Sequence, residues 1–275
     1  MLPNAPLAEL EDFARFAHML ADAADAITLP MFRKPVAIDN KEADQGTFDP
    51  VTLADQNAEK AIRALIEEHF PSHGILGEEF GQKKTDSPYE WILDPIDGTR
   101  SFISGVPMWG TLIGLTFEGK AVFGLNSQPH IGERFWGYGR ACLYQGPRET
   151  YGQLTTSKQT DLSQALAGST APEIFKTPSD IANFEHIKDN VRLMRYGCDC
   201  YFYCLLAAGT LDLVFETDLN AYDIAALVPI VEGAGGVVTN WAGEPIIFDD
   251  NLGKTTVLAT ANKTLHKKAL SLLSV

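Results

Sequence analysis

Apolar residues recur three or four apart over the first thirty positions, at Leu7, Leu10, Phe13, Phe16, Ala17, Leu20, Ala24 and Ile27. That spacing lines one side of a helix with 3.6 residues per turn. A polar stretch from Asp39 to Pro50 reads as an exposed loop. Helical spacing resumes at Ala54, Ala58, Ile62, Leu65 and Ile66, and Pro71 stops it. The period then shortens. Apolar runs between turn residues predict strands at His73–Gly77, Trp91–Leu93, Gly110–Phe117, Ala121–Asn126, Arg134–Tyr138 and Ala141–Tyr144. Gly119–Lys120 has the composition of a hairpin tip, so these strands form an antiparallel meander. After Gln153 helices and strands alternate. Helices are expected over Ser179–Lys188, Cys200–Ala208, Asp223–Gly233 and Asn262–Leu273, and strands over Val191–Arg195, Leu211–Phe215, Gly236–Thr239 and Thr255–Ala259. The pattern divides the chain into two halves, 1–150 and 151–275, in a layered α/β architecture.

Charge narrows the partners. The 275 residues carry 36 acidic and 22 basic side chains, a net charge of −14, which repels nucleic acid and anionic membrane surfaces. A small anionic substrate would need a bridging cation, whereas a cationic group would be welcome. The longest apolar candidate, Ile224 to Val238, is interrupted by Pro229 and Glu232 and falls short of the ~18 residues that span a bilayer. Glu9, Glu11 and Asp12 precede the first basic residue, Arg15, the reverse of a secretory leader. Four cysteines in so long a chain make no disulfide framework, so a reducing, cytoplasmic location is expected. Cys198, Cys200 and Cys204 lack zinc-ligand spacing.

The densest chemistry lies in Trp91-Ile-Leu-Asp94-Pro-Ile96-Asp97-Gly98-Thr99. An apolar strand ends at Asp94, and Asp97-Gly98-Thr99 forms a turn. Two carboxylates so placed can converge on one hard cation, with the Ile96 carbonyl as a further oxygen ligand. A strand followed by an Asp-capped turn would use the same residues. Two more acidic sites accompany it: Gly77-Glu78-Glu79 after an apolar run, and Asp223 before the apolar stretch 224–236. Solvated glutamates and a helix N-cap are the ordinary readings of these. Asp55, at the entry to the second helix, either caps it or reaches the cluster and holds a nucleophilic water.

In this order the segments resemble the inositol monophosphatase superfamily. The resemblance rests on Gly77-Glu78-Glu79, Leu93-Asp94-Pro95-Ile96-Asp97-Gly98-Thr99, Tyr222-Asp223-Ile224-Ala225-Ala226 with Glu232-Gly233-Ala234-Gly235-Gly236, and Asp49-Pro50-Val51-Thr52 with Asp55. Within it, Arg100 to Pro107, Gly110 to Leu115, Asp199-Cys200-Tyr201 and Tyr222-Asp223 look like the histidinol-phosphate phosphatase branch. The resemblance implies an αβαβα sandwich of the inositol monophosphatase and fructose bisphosphatase type, a homodimer, and sensitivity to Li⁺. It implies two Mg²⁺ ions per site, or three. Glu78, Asp94 and the Ile96 carbonyl would hold the first ion, and Asp94, Asp97 and Asp223 the second. Asp55, Thr99 and Glu78 are the implied catalytic residues, with Thr99 and Asp55 deprotonating water. Gly98, Thr99, Asp199, Glu216 and Asp223 would meet the substrate. The implied reaction is hydrolysis of histidinol phosphate, in histidine biosynthesis, with inositol 1-phosphate or another small phosphate ester as the alternative. Asp199 could instead cap a helix, and Glu216 could be a solvated loop carboxylate.

Overall fold

The helical spacing of the first residues is realised as α1 (Leu7–Met31), and the second helical stretch as α2 (Leu53–His69). The structure, a computed structural model, describes residues 7–34, 38–40, 50–139, 141–147 and 150–273. Most of the loop expected over Asp39–Pro50, with Lys41 and Asp49, lies outside the described residues. Its ends pair as β1 (Ile38–Asn40) and β2 (Pro50–Thr52), antiparallel.

The meander is present and larger than the periodicity implies. The strands β3 (Gly74–Gly77), β4 (Gly81–Lys83), β5 (Tyr89–Asp97), β6 (Gly110–Phe117), β7 (Lys120–Gln128), β8 (Glu133–Tyr138), β9 (Ala141–Gly146) and β10 (Thr150–Gln153) form one sheet. Its order is β10-β9-β8-β7-β6-β5-β3-β4, with β3 parallel to β5 and the rest antiparallel. The short helix α3 (Thr99–Ser104) follows β5. The expected hairpin turns at Glu118–Gly119, both at positive φ, as the twist of a two-residue hairpin demands.

The second half supplies β11 (Leu166–Ser169), α4 (Pro178–Asn190), β12 (Leu193–Tyr196), α5 (Tyr201–Ala207), β13 (Leu213–Leu219), α6 (Ala221–Ile224), α7 (Leu227–Gly233), β14 (Val237–Thr239), β15 (Thr255–Thr260) and α8 (Lys263–Leu270). Its five strands lie in the order β12-β11-β13-β15-β14. β11 has no counterpart in the sequence reading, because Leu-Ala-Gly-Ser carries no alternation. The helix expected over Asp223–Gly233 is two pieces, α6 and α7, and Asp223 is the third residue of the first piece.

Period-two alternation assembles the layers. Trp91 and Leu93 of β5 pack with Ile113, Leu115, Phe123 and Leu125 against Phe13, Ala17 and Leu20 of α1 and Ile62 and Ile66 of α2. Ile92 points the other way, into a core shared with α5, α7 and Val214, Val257 and Ala259 of the smaller sheet. The far face of that sheet, with Leu213, Phe215 and Leu258, is covered by Phe184 and Ile187 of α4 and Leu265 and Ala269 of α8. The result is a five-layer αβαβα sandwich.

The middle layer sits close to the large sheet. Gly114, Gly124 and Gly137 are cross-strand partners in one row. A Cβ on Gly124 would lie 2.6 Å from the Ala226 carbonyl carbon, and one on Gly137 2.6 Å from the Ile230 Cα. Real Cβ atoms do not approach so near, so the row admits the α6–α7 backbone only because it is bare. This docking brings Asp223 to the end of β5. Among the described residues no helix is long and apolar enough to cross a membrane.

Candidate metal centre

The strand bearing Asp94 does not end there. β5 continues to Asp97 through a register shift: Asp94 pairs with Leu112 and Asp97 with Gly110. Pro95 and Ile96 of β5 therefore lie opposite the single residue Thr111 of β6, which is a β-bulge. Pro95, unable to donate to a ladder, is tolerated at such a bulge. Residues three apart normally point to opposite faces of a strand. The extra residue turns Asp94 and Asp97 to the same side. Asp94 Oδ1 accepts from the Ile96 amide (3.0 Å), and Thr111 Oγ1 donates to the Pro95 carbonyl (2.8 Å), so the irregular backbone is satisfied. The Ile96 side chain is buried with Phe32, Ala54, Phe102 and Trp109, while its carbonyl accepts from Thr99 Oγ1 at 3.1 Å. Gly98 then turns the chain into α3 at φ +88°, and a Cβ there would stand 2.8 Å from Asp199 Oδ2.

Three elements bring the other acids in. Carboxylate oxygens of Asp94, Asp97 and Asp223 lie within 4.8 Å of one another. Asp223 Oδ2 accepts from the Asn220 amide at 2.7 Å, which orients it from inside its own helix turn. Glu78 follows β3, and its amide donates to the Leu93 carbonyl at 3.2 Å, beside Asp94. The Glu78 and Asp94 carboxyl groups are hydrogen-bonded partners. Asp55 is buried near the start of α2, next to Ala54 in the Ile96 cluster. Asp97 Oδ2 accepts from the Cys200 amide at 2.8 Å.

Crowded acids without a counter-charge resist ionisation. Burial, then the charges of Glu78, Asp97 and Asp223, hold the Asp94 carboxyl well above the usual range. Burial, then Asp199 and Asp223, do the same for Asp97. Burial and the neighbouring Glu78 and Glu216 push Asp223 up to about 7. A divalent cation reverses this field. The donors are hard carboxylate oxygens with a backbone carbonyl close by, a set that suits Mg²⁺, Mn²⁺ or Ca²⁺.

The raised Asp223 value has a consequence for stability. Below its ordinary value of 3.8 the carboxyl is protonated in both folded and unfolded chains. From there to about 7 the folded chain keeps a proton that the unfolded chain has released, so stability falls with rising pH across that window. In EDTA, Asp223→Asn is therefore expected to gain on the wild type by about 2–4 kcal/mol between pH 4 and pH 7.5. Mg²⁺ should reverse the order at pH 7.5. Parallel thermal-melting curves in EDTA would show that Asp223 carries no such penalty.

The remaining candidate residues fall in two places. Asp199 lies against Gly98 at φ +42°, within hydrogen-bond reach of Thr170 and Ser101; burial raises its carboxyl pKa. It precedes α5 without capping it, since the N-cap is Cys200. Glu216 is not a solvated loop carboxylate. Alternation on β13 turns it to the Val214 side, between the sheets, where it is 2% exposed. Its Oε1 accepts from the Thr170 amide and hydroxyl, both at 2.7 Å, and its Oε2 from the Tyr203 hydroxyl at 2.7 Å. Burial pushes it up to about 7. Thr170, Tyr203 and Glu59 escape the sequence reading. Glu59 alone leaves a trace there, as a charged residue flush with the apolar side of α2.

A family model described as the inositol monophosphatase family matches residues 9–274. The chain is 40% identical over 272 residues to the bifunctional phosphatase IMPL2, chloroplastic, of Arabidopsis thaliana, covering 96% of this chain and 76% of that protein. It is 35% identical over 269 residues to a histidinol-phosphatase of Streptomyces coelicolor, covering 96% and 97%. The structure of an inositol monophosphatase from Zymomonas mobilis superposes with a TM-score of 0.83 at 40% identity, covering 95% of this chain and 97% of that one.

Proposed function

We infer the activity from one premise, that this chain belongs to the inositol monophosphatase family. It is a phosphatase of that family acting on small-molecule phosphate esters, and we propose histidinol phosphate as its substrate, hydrolysed to histidinol and phosphate with Mg²⁺. The observation that carries the chemistry is the Asp94–Asp97–Asp223 cluster with Glu78 against Asp94. Glu78, Asp94 and the Ile96 carbonyl would hold one Mg²⁺, and Asp94, Asp97 and Asp223 a second. Bound there, Mg²⁺ supplies positive charge for the phosphoryl oxygens and lowers the pKa of water. Thr99 and Asp55 orient the attacking water and take its proton, and the amides of Gly98 and Thr99 face the phosphate. The C-terminal half supplies Asp199 and Glu216. A homodimer, a cytoplasmic location and Li⁺ sensitivity belong to the same proposal.

The choice of histidinol phosphate over inositol 1-phosphate rests on charge, since the similar proteins include both a histidinol-phosphatase at 35% identity and an inositol monophosphatase at 40%. Asp199 stands beside Gly98 at the rim of the cluster, where an ammonium group at the far end of the ester would find a carboxylate. Glu216 holds Thr170, and Thr170 reaches Asp199, so Glu216 acts on the substrate end through its neighbours.

Phosphate release from the two esters in parallel, each with Mg²⁺ and with EDTA, tests the reading. Histidinol phosphate is expected to turn over faster, and EDTA to silence both. Asp199→Asn should lose roughly 10–100-fold on histidinol phosphate, the worth of one charge-assisted hydrogen bond, and much less on p-nitrophenyl phosphate. Glu216→Gln should follow the same pattern. Faster turnover of inositol 1-phosphate would overturn the substrate and leave the metal centre; equal losses on both esters would remove Asp199 and Glu216 from specificity.

A further inference from the structure

α2 presents Asp55, Glu59 and Arg63 four residues apart, on one face. Glu59 is fully buried beside the apolar residues Ala58 and Ile62. An uncompensated carboxylate there would cost several kcal/mol. Arg63 compensates it, with Nε 2.7 Å from Oε1. The other partners are main-chain groups of one turn. Oε2 accepts from the Glu79 amide at 2.7 Å, and Oε1 from the Phe80 amide at 3.2 Å. Arg63 Nη2 donates to the Gly81 carbonyl. A Cβ on Gly77 would lie 2.8 Å from Oε2 and nearer still to Oε1, so glycine there lets the turn close onto the acid.

These contacts bracket Glu78. On its C-terminal side Glu79, Phe80 and Gly81 are bonded to α2, on its N-terminal side Gly77 lies close against the Glu59 carboxylate, and its own amide is fixed to Leu93 of β5. Glu78 therefore starts from a Cα set by the same helix that carries Asp55. A buried ion pair is weak evidence for stability, because apolar residues of the same volume serve as well. Apolar residues could not receive two amides. We propose that Glu59 is a positioning residue that sets Glu78 against Asp94, an inference that rests on the metal centre proposed above.

The test is Mn²⁺ binding to the full chain, followed by the electron paramagnetic resonance signal of free Mn²⁺, so that no turnover is needed. Glu59→Gln replaces one acceptor oxygen with an NH₂ that cannot receive an amide. It is expected to weaken Mn²⁺ binding roughly 10–100-fold, as loss of an outer partner of a metal ligand does. Glu59→Gln combined with Glu78→Gln should bind no more weakly than Glu78→Gln alone. Gly77→Ala displaces the turn without changing any charge and should weaken binding in the same direction. Unchanged binding in a Glu59→Gln chain that melts near the wild type would overturn the proposal, and so would additive losses in the double variant. If Glu59→Gln does not fold, wild-type affinity in Gly77→Ala overturns it. A wild-type chain that binds no Mn²⁺ overturns the metal centre and this inference together. One that binds Mn²⁺ but hydrolyses neither ester overturns the substrate alone, and the Glu59 comparison still decides.

Discussion

Replacing Asp94 with asparagine is expected to abolish turnover while the fold survives. Asp94 is the acid common to both proposed ion sites, flanked by Glu78, Asp97 and Asp223. The loss should reach at least about 10²–10³-fold at saturating Mg²⁺, the scale seen when one preorganised charge-stabilising group is removed. The backbone has little reason to change. Asparagine keeps an Oδ1 to accept from the Ile96 amide, the contact that supports the bulge. In EDTA the variant should melt no lower than the wild type, because it removes one of several buried acids that repel each other. With Mg²⁺ the order should invert, since the wild type then gains binding energy that the variant lacks. Phosphate-release kinetics and melting curves with and without Mg²⁺ read the two halves separately. Near-normal turnover would sink the shared-acid assignment, and a collapsed fold in EDTA would show that Asp94 is mainly structural.

Gly124→Ala carries the largest expected loss of stability. The added methyl would sit 2.6 Å from the Ala226 carbonyl carbon and closer still to its oxygen. Neither neighbour is a flexible side-chain end: one is a central strand of the large sheet and the other the backbone between α6 and α7. Something must move, at about 3 kcal/mol, the upper part of the range for overfilled cores. For a chain of this size that corresponds to a fall in Tm of roughly 6–12 °C. The easier movement is α6–α7 away from the sheet, which carries Asp223 away from Asp94 and Asp97. Activity and Mg²⁺ affinity should therefore fall along with Tm. Gly152→Ala, in an exposed strand with no atom within 4 Å of the added Cβ, is the control and should be neutral. A Gly124→Ala protein with wild-type Tm would mean that the α6–α7 backbone yields freely and does not place Asp223.

What could be read in the sequence follows how local each cause is. The first two helices are written in spacings of three and four, and the strands 91–93 and 110–117 as short apolar runs between turn residues, so both appear before any fold is known. The run from Asp94 to Thr99 announces a strand end, a turn and two acids within six residues. The bulge that turns those acids to one side is different. It exists only because Pro95 and Ile96 of β5 lie opposite the single residue Thr111 of β6. β11, short and glycine-containing, acquires its place from the strands on either side. Gly114, Gly124 and Gly137 form a row only across three strands, and nothing in their spacing along the chain marks it.

The same division separates the candidate residues. The sequence by itself determined which acids are available and put each of the main ones near an element's end, because composition and periodicity act over a few residues; the structure sets Asp94 three residues inside β5 and Asp223 within α6. It also determined the family, through motifs in order along the chain. Tertiary structure alone decided which acids meet: Asp94, Asp97 and Asp223 converge because a bulge, a row of bare glycines and a short helix turn act together. It decided too that Glu216 is buried between Thr170 and Tyr203, and that Glu59 holds the turn bearing Glu78. Such partnerships join residues up to about 130 positions apart, and the energy of a buried carboxylate is set by what surrounds it in space.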